Sequence, residues 1–287
     1  MEIIESHVSD VGGLPIRRAL PTRQRRCVGA WCFFDHAGPA SLRGRGMNVA
    51  PHPHTGLSTF SWMIEGEILH RDSLGSEQVL RPGQVNLMTA GRGIAHSEES
   101  LSERLHLAQL WIALPDEQRF REPSFEHFPV LPRIEREGFT LTLLTGELLG
   151  ELSPVPTFTP LLGVDVACLR AAHTELPLET RFEHGLMLLE GEADVNGQHM
   201  KPGSLLYLEP GLASLSMATD APARLLLLGG EPWPVPPLLW WNFVGRTREE
   251  IAQFTAEWNG LGGHFEGVEV RGYAGERLTA PPVPAIR

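Results

Sequence analysis

Two pairs of residues between Gly46 and Glu99 have the types and spacing of metal ligands: His52 with His54, and His96 with Glu98. Each pair is spaced i, i+2. On a strand, residues two apart project from the same face. A hairpin-rich sheet that folds the two segments together aims three imidazoles and one carboxylate at a common point. That donor set suits borderline divalent ions such as iron, manganese, nickel, copper or zinc. It leaves a six-coordinate ion two open positions, enough for a chelating substrate or for substrate and dioxygen. A tetrahedral zinc closed by the same four ligands would be structural. The competing reading makes His-Pro-His a strand end and His96 a core histidine. Two like-spaced pairs flanked by turn glycines favour the metal.

The surrounding residues support such a site. Pro53 cannot donate to a strand ladder, so its strand is an edge or begins there. It also restricts His52 to an extended conformation, which fixes one ligand direction. Gly91 and Gly93 let the backbone turn sharply into the second pair. His70 and His106 are single histidines on strands and read as non-ligands. Asp35 and His36 follow a strand expected over Val28 to Phe34 and read as caps of a turn at Asp35 to Pro39.

The elements that must position these groups are short strands separated by turns. Thr59 to Ile64, Val85 to Thr89 and Leu105 to Leu114 read as strands, punctuated by Glu65-Gly66-Glu67 and Arg81-Pro82-Gly83. Strands of this length at this spacing predict an all-β sandwich or barrel. Residues 115 to 160 read as a linker within which Ile134 to Leu144 resumes strand character, and strands return from Leu161 to Leu228. A capping box at Thr247 and Glu250, with Ile251, Phe254 and Trp258 on one face, predicts a helix from Arg248 to Trp258. The final residues, 281–287, read as an extended tail.

A weak internal repeat links the halves. Ile64 to Glu67 matches Leu189 to Glu192, and Arg81-Pro82-Gly83 matches Lys201-Pro202-Gly203. Carried across, His52 and His54 fall on Pro177 and Glu179, while His96 and Glu98 fall on Ser216 and Ala218. The second copy therefore keeps the turns and loses three of the four ligands. His173, His184 and His199 are out of register and read as surface or core histidines.

Composition narrows the function classes. The chain has 287 residues, 42% of them hydrophobic, and a formal charge of -11. That charge opposes direct binding to nucleic acid phosphates. The local cluster Arg17, Arg18, Arg23, Arg25 and Arg26 reads as a solvated, salt-bridged edge. Cys27, Cys32 and Cys168 form no disulfide framework or zinc knuckle and read as buried thiols. No secretory signal or membrane span is visible, which predicts the cytoplasm, or the nucleus in a eukaryote.

The segments HPHTGLSTFSWMIEGE, HRDSLG, PGQVNLMTAGRGIAHSE and WNFVGR resemble the pirin family of the cupin superfamily. The resemblance covers nearly the whole chain. It implies a bicupin: a metal-bearing β-barrel over 1–130, then a metal-free barrel over 131–287 that includes the C-terminal helix. It implies one metal, usually Fe(II), on His52, His54, His96 and Glu98. Many members carry Arg after His-Pro-His, where this chain has Thr55, at a position expected to touch the pocket mouth. The family divides between quercetin 2,3-dioxygenases, which open a flavonol ring with dioxygen, and regulators that bind transcription factors or metabolic enzymes. In the first case Glu98 serves as ligand and general base. In the second, the metal shapes a surface read by a protein partner. A storage cupin without turnover is a third reading. The intact, open ligand set favours the oxygenase.

Overall fold

The structure, a computed structural model, describes residues 1–42, 46–233 and 235–284. It is built of antiparallel strands, with one helix near the C-terminus and a single 3-10 turn after it among the described residues. The last three residues of the expected tail lie outside the described ones.

The chain divides into two compact units. One comprises 10–16, 37–129 and 235–287; the other comprises 1–9, 17–36 and 130–234. This differs from a single cut at 130, because the ends of the chain are exchanged. Phe243, Ile251, Phe254, Trp258 and Phe265 share an apolar cluster with Ala95, so the C-terminal segment is held by the unit carrying the candidate ligands. At the other end, Glu2–Glu5 completes a sheet by pairing with Ser204–Leu208.

In the ligand-bearing unit a four-stranded sheet runs in the order Asn48–His54, Ile94–Ser100, Ile68–Asp72, Glu77–Leu80. Its larger sheet contains Ser124–Phe128, Val85–Thr89, Leu57–Glu65 and Arg104–Ala113 in that order. Met63, Leu105 and Leu107 of the larger sheet pack with Ile68 and Leu80 of the smaller, closing an apolar core between them. The second unit repeats the plan. Its four-stranded sheet is Ala172–Pro177, Ser214–Thr219, Ala193–Val195, Gln198–Met200. Leu176, Leu215 and Met217 of that sheet pack with Leu186, Leu188 and Leu206 of the larger one. Two such sandwiches in one chain are the expected two-domain cupin architecture.

Several elements depart from expectation. No turn forms at Asp35: the strand runs Trp31–Ser41. Arg18 donates from Nε and Nη2 to both carboxylate oxygens of Asp35, at 2.7 Å each. That pairing lets a carboxylate sit in a buried strand. The pair is one of the salt bridges expected of the basic edge; Arg25, partly exposed, reaches Glu2 at 4.0 Å and lies 3.5 Å over the Tyr207 ring. Within 115–160, Arg133–Arg136 and Phe139–Thr145 bear out the strand character expected there, and the departure is Ser124–Phe128, a paired strand in the polar stretch. The three cysteines are buried and none is in a disulfide, and burial, with Glu183 beside it, pushes the Cys27 thiol up to about 12.

The helix α1, Arg248–Gly260, starts as expected: Thr247 accepts from the Glu250 N–H, and Ile251, Phe254 and Trp258 are buried. The register of the repeat shifts. His96 pairs with His52, but Ser216 pairs with Glu175, two residues before Pro177. The equivalents of His52 and His54 are therefore Glu175 and Pro177. The turn into the next strand differs in length between the copies, which matching glycines cannot reveal.

Candidate metal centre

The inner face of the four-stranded sheet brings the histidines together. His52 lies directly opposite His96, and His54 opposite Ile94. A bulge between His96 and Glu98 follows, so Glu98 faces Val49 on one side and His70 on the other. A bulge re-aims the side chains that flank it. The rings of His52, His54 and His96 lie with centroids 4.4 to 5.0 Å apart. All three are buried. Two overlapping ligand clusters result: His52, His54 and His96 form one, and His70, His96 and Glu98 form the other. The expected four residues thus do not form one equidistant group; His96 links three imidazoles to the carboxylate.

The hydrogen bonds settle which nitrogen each ring offers. His52 Nδ1 is 2.9 Å from the Ala50 carbonyl, and His54 Nδ1 is 3.1 Å from the Asn242 carbonyl. A carbonyl only accepts, so both Nδ1 atoms carry the proton and both Nε2 atoms keep a lone pair. His96 Nδ1 is 3.3 Å from His70 Nδ1. His70 Nε2 is 3.1 Å from Asp72 Oδ2. The Asp72 carboxylate accepts from His70 Nε2–H, which in the neutral ring leaves His70 Nδ1 as acceptor. His96 therefore donates from Nδ1 and offers Nε2. Asp72 is itself fixed, its Oδ1 accepting from the N–H groups of Leu74 and Ser76 at 2.9 and 3.0 Å. The Phe125 ring stacks on His70 at 4.4 Å.

His54 Nε2 and His96 Nε2 then face each other at 3.1 Å, lone pair to lone pair. Such a contact calls for a cation between the nitrogens. Burial holds the rings neutral: the His52 pKa falls to about 4, and those of His54 and His96 lie well below the ordinary range. Neutral imidazole is the form that ligates. Burial pushes the Glu98 carboxyl the other way, upward. Burial also pushes Asp72 up, but bonds from His70 and the Ser76 amide outweigh it and hold Asp72 below its usual range. The donor set fits a borderline divalent metal.

The sequence reading passed over His70 and Asp72. The HRD triplet, with the second acceptor two residues on, carried the signal: on a strand both face the same way as the ligands. Thr55 is buried, with its backbone bridged to Phe243, so it does not sit at an open pocket mouth. His173 and His199 are exposed, while His184 is buried in the second unit with neither ring nitrogen hydrogen-bonded. None of the three joins a ligand cluster among the described residues.

Fold and cluster together define a two-domain cupin with a buried imidazole site. Comparison with known proteins narrows this. The Pirin family model matches residues 13–112 and the Pirin C-terminal cupin domain model matches 163–265; the chain belongs to the pirin family. A Pseudomonas aeruginosa protein, provisionally named a quercetin 2,3-dioxygenase, is 52% identical over 276 residues. That match spans 95% of this chain and 87% of the relative. A crystal structure of quercetin 2,3-dioxygenase from Acinetobacter baumannii superposes with a TM-score of 0.95 at 46% identity, over 100% of this chain and 97% of the other. A bacterial pirin from Escherichia coli, solved in complex with nickel(II), shares the fold at 20% identity and a TM-score of 0.63, over 81% of this chain and 100% of that one.

Proposed function

We propose that the chain is a metal-dependent oxygenase of the quercetin 2,3-dioxygenase type, acting on flavonols or similar enediols. The ion is Fe(II) by preference, with other divalent transition metals able to occupy the same donors. His52, His54 and His96 hold it through Nε2, and Glu98 is the fourth ligand. The observation that carries the reading is the convergence of three Nε2 lone pairs whose Nδ1 partners are all committed elsewhere. When bound, the metal supplies a chelation site for vicinal oxygens and access to dioxygen chemistry.

The protein's own part is positioning and proton handling. The Ala50 and Asn242 carbonyls and the His70–Asp72 pair orient the three rings before the ion arrives. Burial of the rings, with Trp111 edge-on at 5.1 Å from His54, excludes bulk water. Glu98 is the base for the substrate hydroxyl. Burial raises the proton affinity of its carboxyl, so a proton taken from the hydroxyl is held at the carboxylate oxygen. The partners on this reading are a flavonol-like small molecule and dioxygen.

The test is oxygen uptake, normalised to bound metal, over a panel of flavonols. Uptake that vanishes in His52→Ala plus His54→Ala along with the metal supports the reading. No uptake by fully iron-loaded protein overturns it in favour of a metal-dependent regulatory protein that binds a transcription factor or metabolic enzyme.

A further inference from the structure

Strand alternation puts Ala95 and His96 on opposite faces of the sheet. His96 faces the metal cluster, while Ala95 packs in the C-terminal apolar cluster. On that outer side lies a separate cleft of about 700 Å³, lined by Leu74, Arg92, Gly93, Phe120, Glu257 and His264 among others. No candidate ligand lines it.

Glu257 and His264 form a dyad in this cleft. His264 Nδ1 lies 2.5 Å from Glu257 Oε2. The same carboxylate accepts from the His264 backbone N–H at 3.2 Å and from Gln253 Nε2 at 2.8 Å. The intervening backbone is shaped for this contact. Gly263 has φ +56, and a Cβ there would meet Glu257 Cδ at 2.3 Å. Only glycine lets the carboxylate come so close. Phe254 stands edge-on to the imidazole at 5.3 Å, and Phe120 lies 6.1 Å away.

This geometry commits Nδ1: its N–H donates to Glu257. In the neutral imidazole Nε2 is then a lone-pair acceptor, and no hydrogen bond satisfies it among the described residues. Beside it the cleft exposes large apolar side chains: Phe120 is 46% and Leu74 49% accessible. An oriented acceptor next to an aromatic wall selects a ligand with one ring and one good donor. The dyad's role in tying the helix end to the 3-10 turn uses Nδ1 alone and leaves Nε2 without a task, while Phe120 carries the Arg119 guanidinium over its ring at 4.2 Å.

We propose that this cleft binds a small aromatic hydroxyl compound, its ring against Phe120 and Leu74 and its hydroxyl donating to His264 Nε2. The site is independent of the metal and of the oxygenase reading. Phenol and anisole are the probes, because the methyl ether keeps the ring and removes the donor. Titration of the full chain by calorimetry, as purified and after chelation of its metal, should give one phenol site in both states. One hydrogen bond makes anisole weaker by about five- to tenfold. His264→Phe should abolish the preference, and Phe120→Ser should weaken both probes. In wild-type protein, phenol should also shift the His264 Nε2 resonance in ¹⁵N NMR, a readout that needs no variant. Equal affinity for the two probes, no saturable binding of phenol, binding lost with the metal, or an unmoved Nε2 resonance at saturation would each overturn the proposal.

Discussion

Asp72→Asn tests the tautomer argument with the smallest change of shape. Asn keeps an oxygen for the Leu74 and Ser76 amides, now held at 2.9 and 3.0 Å, so the turn at 73–76 stays in place. At the position of Oδ2, 3.1 Å from His70 Nε2, it puts an amide donor. His70 must then accept at Nε2 and carry its proton on Nδ1. That proton points at His96 Nδ1, 3.3 Å away, so His96 becomes the acceptor there and its own proton moves to Nε2. The ligating lone pair of His96 is thereby closed, while His52 and His54 keep theirs through their carbonyl partners. Changes to groups that orient metal ligands cost about 10- to 100-fold in affinity, or about 1.4 to 2.7 kcal/mol. The assay is chelator competition for the metal, paired with histidine ¹⁵N spectra of the metal-free protein. His96 should read as Nδ1-protonated in wild type and Nε2-protonated in the mutant. An affinity within twofold of wild type, or a His96 already protonated at Nε2 before mutation, would refute the reasoning.

Two further outcomes follow from the same groups and from the second barrel. Glu98→Gln should lower oxygen uptake per bound metal by about 10²- to 10⁴-fold, the usual cost of losing a general base, while lowering metal content far less; equal rates per metal would remove Glu98 from that role. His184 is buried without partners, and burial lowers its pKa from 6.5 to about 4. Between those values the unfolded chain holds a proton that the folded chain refuses, so stability falls as pH drops from 6.5 to 4, by about 3 kcal/mol over the window. In urea melts across that range, His184→Leu should flatten the pH slope and cost little at pH 8; a slope unchanged by the substitution would show that other groups set it.

The parts of the fold legible in the sequence were those governed by local chemistry. Val85 to Thr89 is a strand with the bounds expected, because apolar residues and flanking Gly turns coincide there. Thr247 and Glu250 start the helix, because a cap acts within one turn. What stayed hidden was long-range. Nothing near Asp35 says that Arg18 neutralises it, so a strand looked like a turn. Nothing near Glu2 announces that Glu2–Glu5 pairs some two hundred residues away with Ser204–Leu208. Phe243 and Trp258 are apolar wherever they pack, and long-range contacts, the Phe243 bridge to Thr55 and the shared cluster with Ala95, assign them to the ligand-bearing unit.

The same distinction divides the site. The pairing of His52 with His54 was legible because alternate residues on one strand share a face; setting His96 against them took the pairing of two strands. Their tautomers were not, because each depends on an acceptor that spacing does not supply. Asn242, 188 positions from His54, sets that ring through a carbonyl that any residue type would have provided. His70 looked like a lone strand histidine because its role needs two partners at once, Asp72 on its own strand and His96 across the ladder. A lone imidazole next to a ligand would compete for the metal. One that is tied to a buried carboxylate instead offers its neighbour a fixed acceptor, so Asp72 is what fits His70 to orient His96 in the proposed site.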